Sequence, residues 1–240
     1  MRVDVAPTPD AVAPATLPGA VVLVVDVLRA STSIITALAN GCAAVVPVAE
    51  PEEARRRAAA IPGALVAGER RGEPLDGFDL GNSPLEFAPE RVAGRTIVMT
   101  TSNGTRALCA VRGAADVGIG ALVNLEAAAA WAAGRGRDVL VVCAGERGVR
   151  SLEDWVCAGL LAERIALRTG AVLADGAAAA SAAGRAYAGD VSRLARDSRW
   201  ARHLTASGRG RDVAACLALD TTTLVPLYRA NVDKVLSGHP

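Results

Sequence analysis

The tightest constraint on how this chain folds is a set of short, unbroken runs of β-branched residues. VVLVV at 21–25 is the clearest, and similar stretches occupy 43–48, 64–67, 96–99 and 139–142, with a weaker one at 3–5. None alternates apolar with polar residues. Strands apolar on both sides belong in a sheet covered on both faces, as parallel strands joined by helical crossovers are. Between them lie alanine-rich helical stretches at 31–40 (stopped by Gly41), 51–60, 105–110, 125–133 and 152–168. Ser151, Glu153 and Asp154 open the last of these, putting acids where the helix dipole favours them. The pattern predicts an α/β fold, a largely parallel central sheet flanked by helices. Beyond about Ala171 the strand signal fades, and a helical C-terminal region packed on the sheet is expected. We read 1–240 as a single domain.

Composition bounds the function. The chain is 51% hydrophobic and 21% charged, as a globular protein is, and its net charge of +1 gives no electrostatic case for nucleic acid or an anionic membrane. All but one of its 26 basic residues are arginine, so a lone arginine carries little weight. Five scattered cysteines without a CxxC pair argue against a disulfide framework or structural zinc. The polar opening MRVDVAPTPD is no signal peptide, and no apolar run reaches the roughly 20 residues of a membrane helix. A soluble cytoplasmic protein is expected.

Three strands end on acids: VVLVV on Asp26, ALVAG on Glu69, VLVVCAG on Glu146. In open parallel sheets ligands bind beyond the carboxyl ends of strands. Three carboxylates delivered there suit a hard cation such as Mg²⁺, which takes one or two of them plus waters and substrate phosphate. The plain reading of each acid is a cap or an ion pair. Arginines recur beside the same acids: Arg29, then Arg70 and Arg71, then Arg147 and Arg150. Planar guanidinium forks bind carboxylate, phosphate or sulfonate. TTSNGTRAL (100–108) follows a strand and opens a helix, offering amides, hydroxyls and Arg106 to an anion, or simply making a turn.

Absences narrow the chemistry. The two histidines, His203 and His239, sit late in the chain, GxxxxGK[ST] is missing, and Leu28 stands where an aspartyl-phosphatase of the haloacid-dehalogenase type has its second aspartate. Cys143 after a strand leaves a thiol hydrolase open, although a small buried residue is its ordinary role.

Taken together, VDVLRASTSI (25–34), AGERRGEPLDGFDLGNSP (67–84), TTSNGTRAL, CAGERGVRSLEDWVCAG (143–159) and the spaced Asp212, Cys216, Asp220 and Pro226 resemble the ComB family of magnesium-dependent 2-phosphosulfolactate phosphatases. The pieces run in the family's order through nearly the whole chain; GALVN (120–124) departs from the family's usual segment but keeps Asn124. The resemblance implies a ComB-like phosphatase fold and hydrolysis of a phosphate monoester of a sulfonated hydroxy acid, a step of coenzyme M biosynthesis in that family. Joined to the strand-end acids, this leads to a hypothesis of metal ligands among Asp26, Glu69 and Glu146 and catalytic roles for Asp26, Glu146, Glu153 and Asp154. Thr101, Asn103, Gly104, Thr105 and Arg106 would hold phosphate. Arg29 with Arg70 or Arg71 would clamp the other acid groups, and Ser31, Asn82 and Asn124 complete the binding set. The reading allows a homodimer. A non-catalytic anion-binding protein of the same fold is the other function class, and direct water attack and a covalent aspartyl-phosphate both stay open.

Overall fold

The computed structural model describes residues 1–238, so His239 lies outside the described residues. The chain opens with β1 (Arg2–Ala6), β2 (Val21–Val25), α1 (Ala30–Ala39), β3 (Ala44–Pro47), α2 (Pro51–Ala59), β4 (Leu65–Arg70) and β5 (Glu73–Pro74). It continues with α3 (Pro89–Val92), β6 (Thr96–Thr100), α4 (Gly104–Ala110), β7 (Asp116–Gly120), α5 (Leu125–Ala133), β8 (Val139–Cys143) and α6 (Leu152–Thr169). Then come β9 (Val172–Leu173), α7 (Asp175–Tyr187), α8 (Leu194–Asp197), α9 (Arg199–Leu204), α10 (Gly210–Cys216), β10 (Val225–Arg229) and β11 (Lys234–Gly238).

One eleven-stranded sheet carries the order β5-β4-β6-β3-β11-β10-β7-β2-β8-β1-β9. It consists of two parallel blocks, β4-β6-β3 and β7-β2-β8-β1-β9, joined by the antiparallel β10–β11 hairpin. The expected α/β architecture is therefore present, with an antiparallel hairpin at the middle of the ladder. The join to β3 is one residue pair, Val235↔Val45. The residues after β2 and β6 nonetheless lie together, since a Cβ at Gly104 would meet Asp26 and Ala30.

Period two sorts the β2 valines and leucine. Val21, Leu23 and Val25 join the core under α5, α6 and α7, while Val22 and Val24 join a second core with α1 and α4. That second core also takes Ile97 and Met99 of β6, so α1 and α4 serve both blocks. A third, smaller core packs Val46 and Val98 under Ala54 and Ala58 of α2.

Beyond Ala171 the helices α7 to α10 are as expected, but three strands accompany them. β9 has only two residues, β10 carries Pro226, which disfavours a ladder position, and β11 ends in Ser237-Gly238. Pro226 is tolerated because β7 pairs only with the next two residues, Leu227 and Tyr228. β7, read from DVGIG, was also unexpected. Its Gly118 is a packing requirement: a Cβ there would lie 2.7 Å from the Trp131 ring.

Candidate functional site

β2 ends in a turn closed by its own side chains. Asp26 N–H donates to Ser31 Oγ (2.9 Å) and Ala30 N–H donates to Asp26 Oδ1 (3.2 Å). Thr32 Oγ1 donates to Val27 C=O and Ser33 Oγ to Asn82 C=O, each at 2.9 Å. Ser31, expected at the substrate, is thus buried turn chemistry. Gly104 leaves room on the other side of Asp26: a Cβ at 104 would sit 2.6 Å from Oδ2.

The three strand-end acids line one cleft together with Asn82, Ser102, Asn103, Arg29, Arg147 and Trp200. They approach it from different walls. Glu69 accepts from Ser102 N–H (2.7 Å), Gly72 N–H (2.6 Å) and Ser102 Oγ (3.3 Å), tying β4 to the turn after β6. Glu146 accepts from Arg199 Nη2 at 2.6 Å. Among the described residues no three His, Cys, Asp or Glu side chains form a ready-made metal cage.

Asp154 sits behind the cleft. It accepts from Val27 N–H (2.8 Å) and Gly145 N–H (3.1 Å), fixing the ends of β2 and β8 to each other. Glu153 accepts from Ser198 Oγ at 2.7 Å, at the cap of α9. Both acids sit in the first turn of α6, as expected, but both are buried with these specific partners and neither lines the cleft.

Electrostatically the region is lopsided. Five acids (Asp26, Glu69, Glu153, Asp154, Asp212) and one base, Arg29, are buried among the described residues. Burial raises the Asp26 carboxyl from 3.8 to about 7; the Ala30 N–H lowers it, Glu69 and Glu153 raise it further, and Arg29 offsets part of this. Asp154 is pushed well above the ordinary range by burial, then by Asp26 and Glu153, and Glu153 is raised chiefly by burial. Asn82 Oδ1 is buried in the same place without a hydrogen-bond partner. Such an orphan is rare in a native interior and asks for a ligand or an ion.

The arginines divide. Arg29 borders the cleft and donates Nη1 to Asp212 Oδ2 (2.7 Å) and Nη2 to Gly72 C=O (2.8 Å). Arg70 is used up on the backbone, its Nη1 on Glu69 C=O and Nη2 on Ala49 C=O and Thr100 Oγ1, and lies outside the cleft lining. Arg71 is exposed with positive φ and also lies outside it. Arg106 is exposed and borders an adjoining cavity of about 130 Å³ that shares Ser102 and Asn103 with the cleft.

TTSNGT offers fewer free amides than its sequence suggests. Thr101 N–H donates to Thr105 Oγ1 (3.0 Å), Thr105 N–H donates to Thr101 Oγ1 (3.1 Å), and Ser102 N–H is held by Glu69. Both threonines are buried and bonded to each other. Asn103 Oδ1 accepts from Arg147 N–H at 3.4 Å. Asn124 is also structural: its Oδ1 accepts from Ala121 N–H, and its Nδ2 donates to the C=O groups of Ile119 and Leu224. Cys143 is fully buried and its thiol is pushed well above its usual value, which speaks against thiolate chemistry. Roomier cavities of about 400 and 530 Å³ lie elsewhere, but neither is lined by a buried charged side chain.

Sequence reasoning overlooked the C-terminal contribution. Asp212 bonds to Arg29 and to Ser83 Oγ (2.6 Å), Trp200 Nε1 donates to Leu28 C=O (3.0 Å), and Arg199 holds Glu146. The only prior signal was Asp212 among the spaced resembling positions.

Comparison with known proteins shows the family. A family profile described as 2-phosphosulpholactate phosphatase matches residues 6–231. The chain is 42% identical over 233 residues to a probable 2-phosphosulfolactate phosphatase of Gloeobacter violaceus, covering 96% of each. It is 41% identical over 215 residues to the probable enzyme of Symbiobacterium thermophilum (88% of this chain, 92% of that one). To the probable enzyme of Caldanaerobacter subterraneus subsp. tengcongensis it is 38% identical over 213 residues, 88% of each chain. No helix among the described residues is long and apolar enough to cross a membrane. With its acid-rich cleft at the strand ends and a match along nearly its full length, the chain belongs to the 2-phosphosulpholactate phosphatase family.

Proposed function

We propose that this chain hydrolyses 2-phosphosulfolactate, or a related phosphate monoester of a sulfonated or carboxylated hydroxy acid, to the hydroxy acid and phosphate, with Mg²⁺ as cofactor. The names of its relatives supply the substrate. The observation that carries the chemistry is the pairing of Asp26, buried without an ion-pair partner, with the orphaned Asn82 Oδ1 in one cleft.

That donor set fits Mg²⁺. Asp26 and the Asn82 carboxamide oxygen would hold the ion, with Glu69 and Glu146 as flanking charge, in keeping with one or two carboxylates per site. When bound, the ion supplies neutralisation of the phosphate's charge. The chain's own groups do the rest. With the ion beside it Asp26 would stay charged, so its part is to orient the attacking water toward the phosphate rather than to titrate. We place water rather than Asp26 as the nucleophile, because Asp26 is assigned to the ion and already accepts from Ala30 N–H. Asn103 and Arg106 border the phosphate's approach, Arg29 meets the remaining acid group, and Asp154 keeps the ends of β2 and β8 in register.

The test is phosphate release from 2-phosphosulfolactate by the purified chain. Turnover should require Mg²⁺, stop with EDTA, and fall about 10³-fold or more in Asp26→Asn. Asn82→Ala should raise the Mg²⁺ needed by about tenfold. Single-turnover reaction in oxygen-18 water should place label in phosphate and none in a protein carboxylate. No phosphate release with or without Mg²⁺ overturns the proposal.

A further inference from the structure

Arg29 is the only buried base among the described residues, and it stands among acids. Two bonds fix it: Nη1 to Asp212 Oδ2 at 2.7 Å and Nη2 to Gly72 C=O at 2.8 Å. A guanidinium has five N–H donors, so three remain for a ligand. Asp212 comes from α10, far along the chain, and is itself buried. Its second oxygen accepts from Ser83 Oγ at 2.6 Å, next to the orphaned Asn82. One carboxylate therefore fixes both a cleft cation and the backbone beside a cleft oxygen. From α9, Trp200 Nε1 grips Leu28 C=O, the residue before Arg29.

We propose that Asp212 is a positioning residue. It holds Arg29, and the Asn82–Ser83 segment, so that Arg29 receives the ligand's acid group other than the phosphate. This rests on the phosphatase reading and deepens it, by tying selectivity for a second acid group to a residue outside the cleft lining.

The sign follows from the surroundings. Without the Asp212 charge, Arg29 is left with the cleft carboxylates Asp26 and Glu69 as its counter-charges, and Asp26 already feels its charge. An internal pair across the cleft competes with the ligand anion, so affinity for the second acid group falls rather than rises.

The experiment is calorimetric titration of wild type, Asp212→Asn and Asp212→Glu with 3-sulfolactate and, separately, with inorganic phosphate, each with Mg²⁺ present. Asp212→Asn should weaken sulfolactate by about tenfold or more and leave phosphate within about twofold, and Asp212→Glu, which keeps the charge, should recover most of the loss. In kinetics on 2-phosphosulfolactate the loss should fall on KM more than on kcat. Equal weakening of both anions would mean general disorder and overturn the proposal. So would no weakening of either, or a wild-type chain that binds no sulfolactate. Sulfolactate binding that depends on Asp212 without phosphatase turnover sinks the phosphatase reading alone.

Discussion

At the scale of single residues, Asp26 sets stability against function. Its carboxyl is raised from 3.8 to about 7 by burial first, so between those values the folded chain keeps a proton that the unfolded chain has lost. Stability therefore falls as pH rises through this window and stays low above it, by on the order of 4 kcal/mol for this one group. Asp26→Asn should remove much of that slope. In chelator, its melting temperature should exceed that of wild type at pH 8 and approach it at pH 4. A melting difference independent of pH would remove the burial argument. The strand-end position of Asp26, Glu69 and Glu146 was legible from residue order, because each ends an apolar run. Side-chain commitment was not. Arg70, Thr101, Thr105 and Asn124 carry the same groups that bind anions, and only the coordinates show those groups taken by the backbone and by one another.

At the scale of elements, apolar runs and alanine-rich stretches gave most strands and helices close to their observed limits. Apart from the two-residue β9, the unexpected strands bear glycine or proline, residues that suit a neighbour better than a strand's own propensity. Gly118 yields to Trp131, and Gly159 does the same between helices: α6 crosses α7 so closely that a Cβ at 159 would lie 1.9 Å from Ala180 C=O. Backbone cannot give way as a flexible side-chain tip can. Gly159→Ala should therefore cost about 3 kcal/mol in denaturant unfolding. Gly136→Ala, with nothing within 4 Å but a positive φ, should cost less, through backbone strain alone. Equal costs at both sites would mean the helix crossing is looser than described.

At the scale of the whole molecule, the β10–β11 hairpin joins the two parallel blocks, and Asp233 at its turn fastens it. Asp233 accepts from Tyr228 Oη (2.6 Å), Arg57 Nη1 of α2 (2.6 Å) and Arg112 Nη2 beyond α4 (2.9 Å). Burial would raise its carboxyl, but the bonds from Tyr228 and Arg57 and the nearby arginine charges outweigh burial and hold it below 3.8. A depressed carboxyl contributes stability above its unfolded pKa and loses it as pH falls through the folded one. Asp233→Ala should thus cost about 2 kcal/mol at pH 7, with the deficit shrinking in acid below the usual carboxylate range. A deficit that persists unchanged in acid would show that packing, not the carboxylate, holds the turn.

The sequence by itself determined the α/β class, the parallel blocks and the three acids at strand ends, because local periodicity and strand termination are properties of neighbouring residues. The tertiary structure decided which acids lack a partner, that Arg29 is held by Asp212 from α10, that a late hairpin joins the two blocks, and that the residues after β2 and β6 lie together. Those outcomes depend on distances between residues far apart in the chain, and burial, which shifts the Asp26 carboxyl, arises only when such residues close around it.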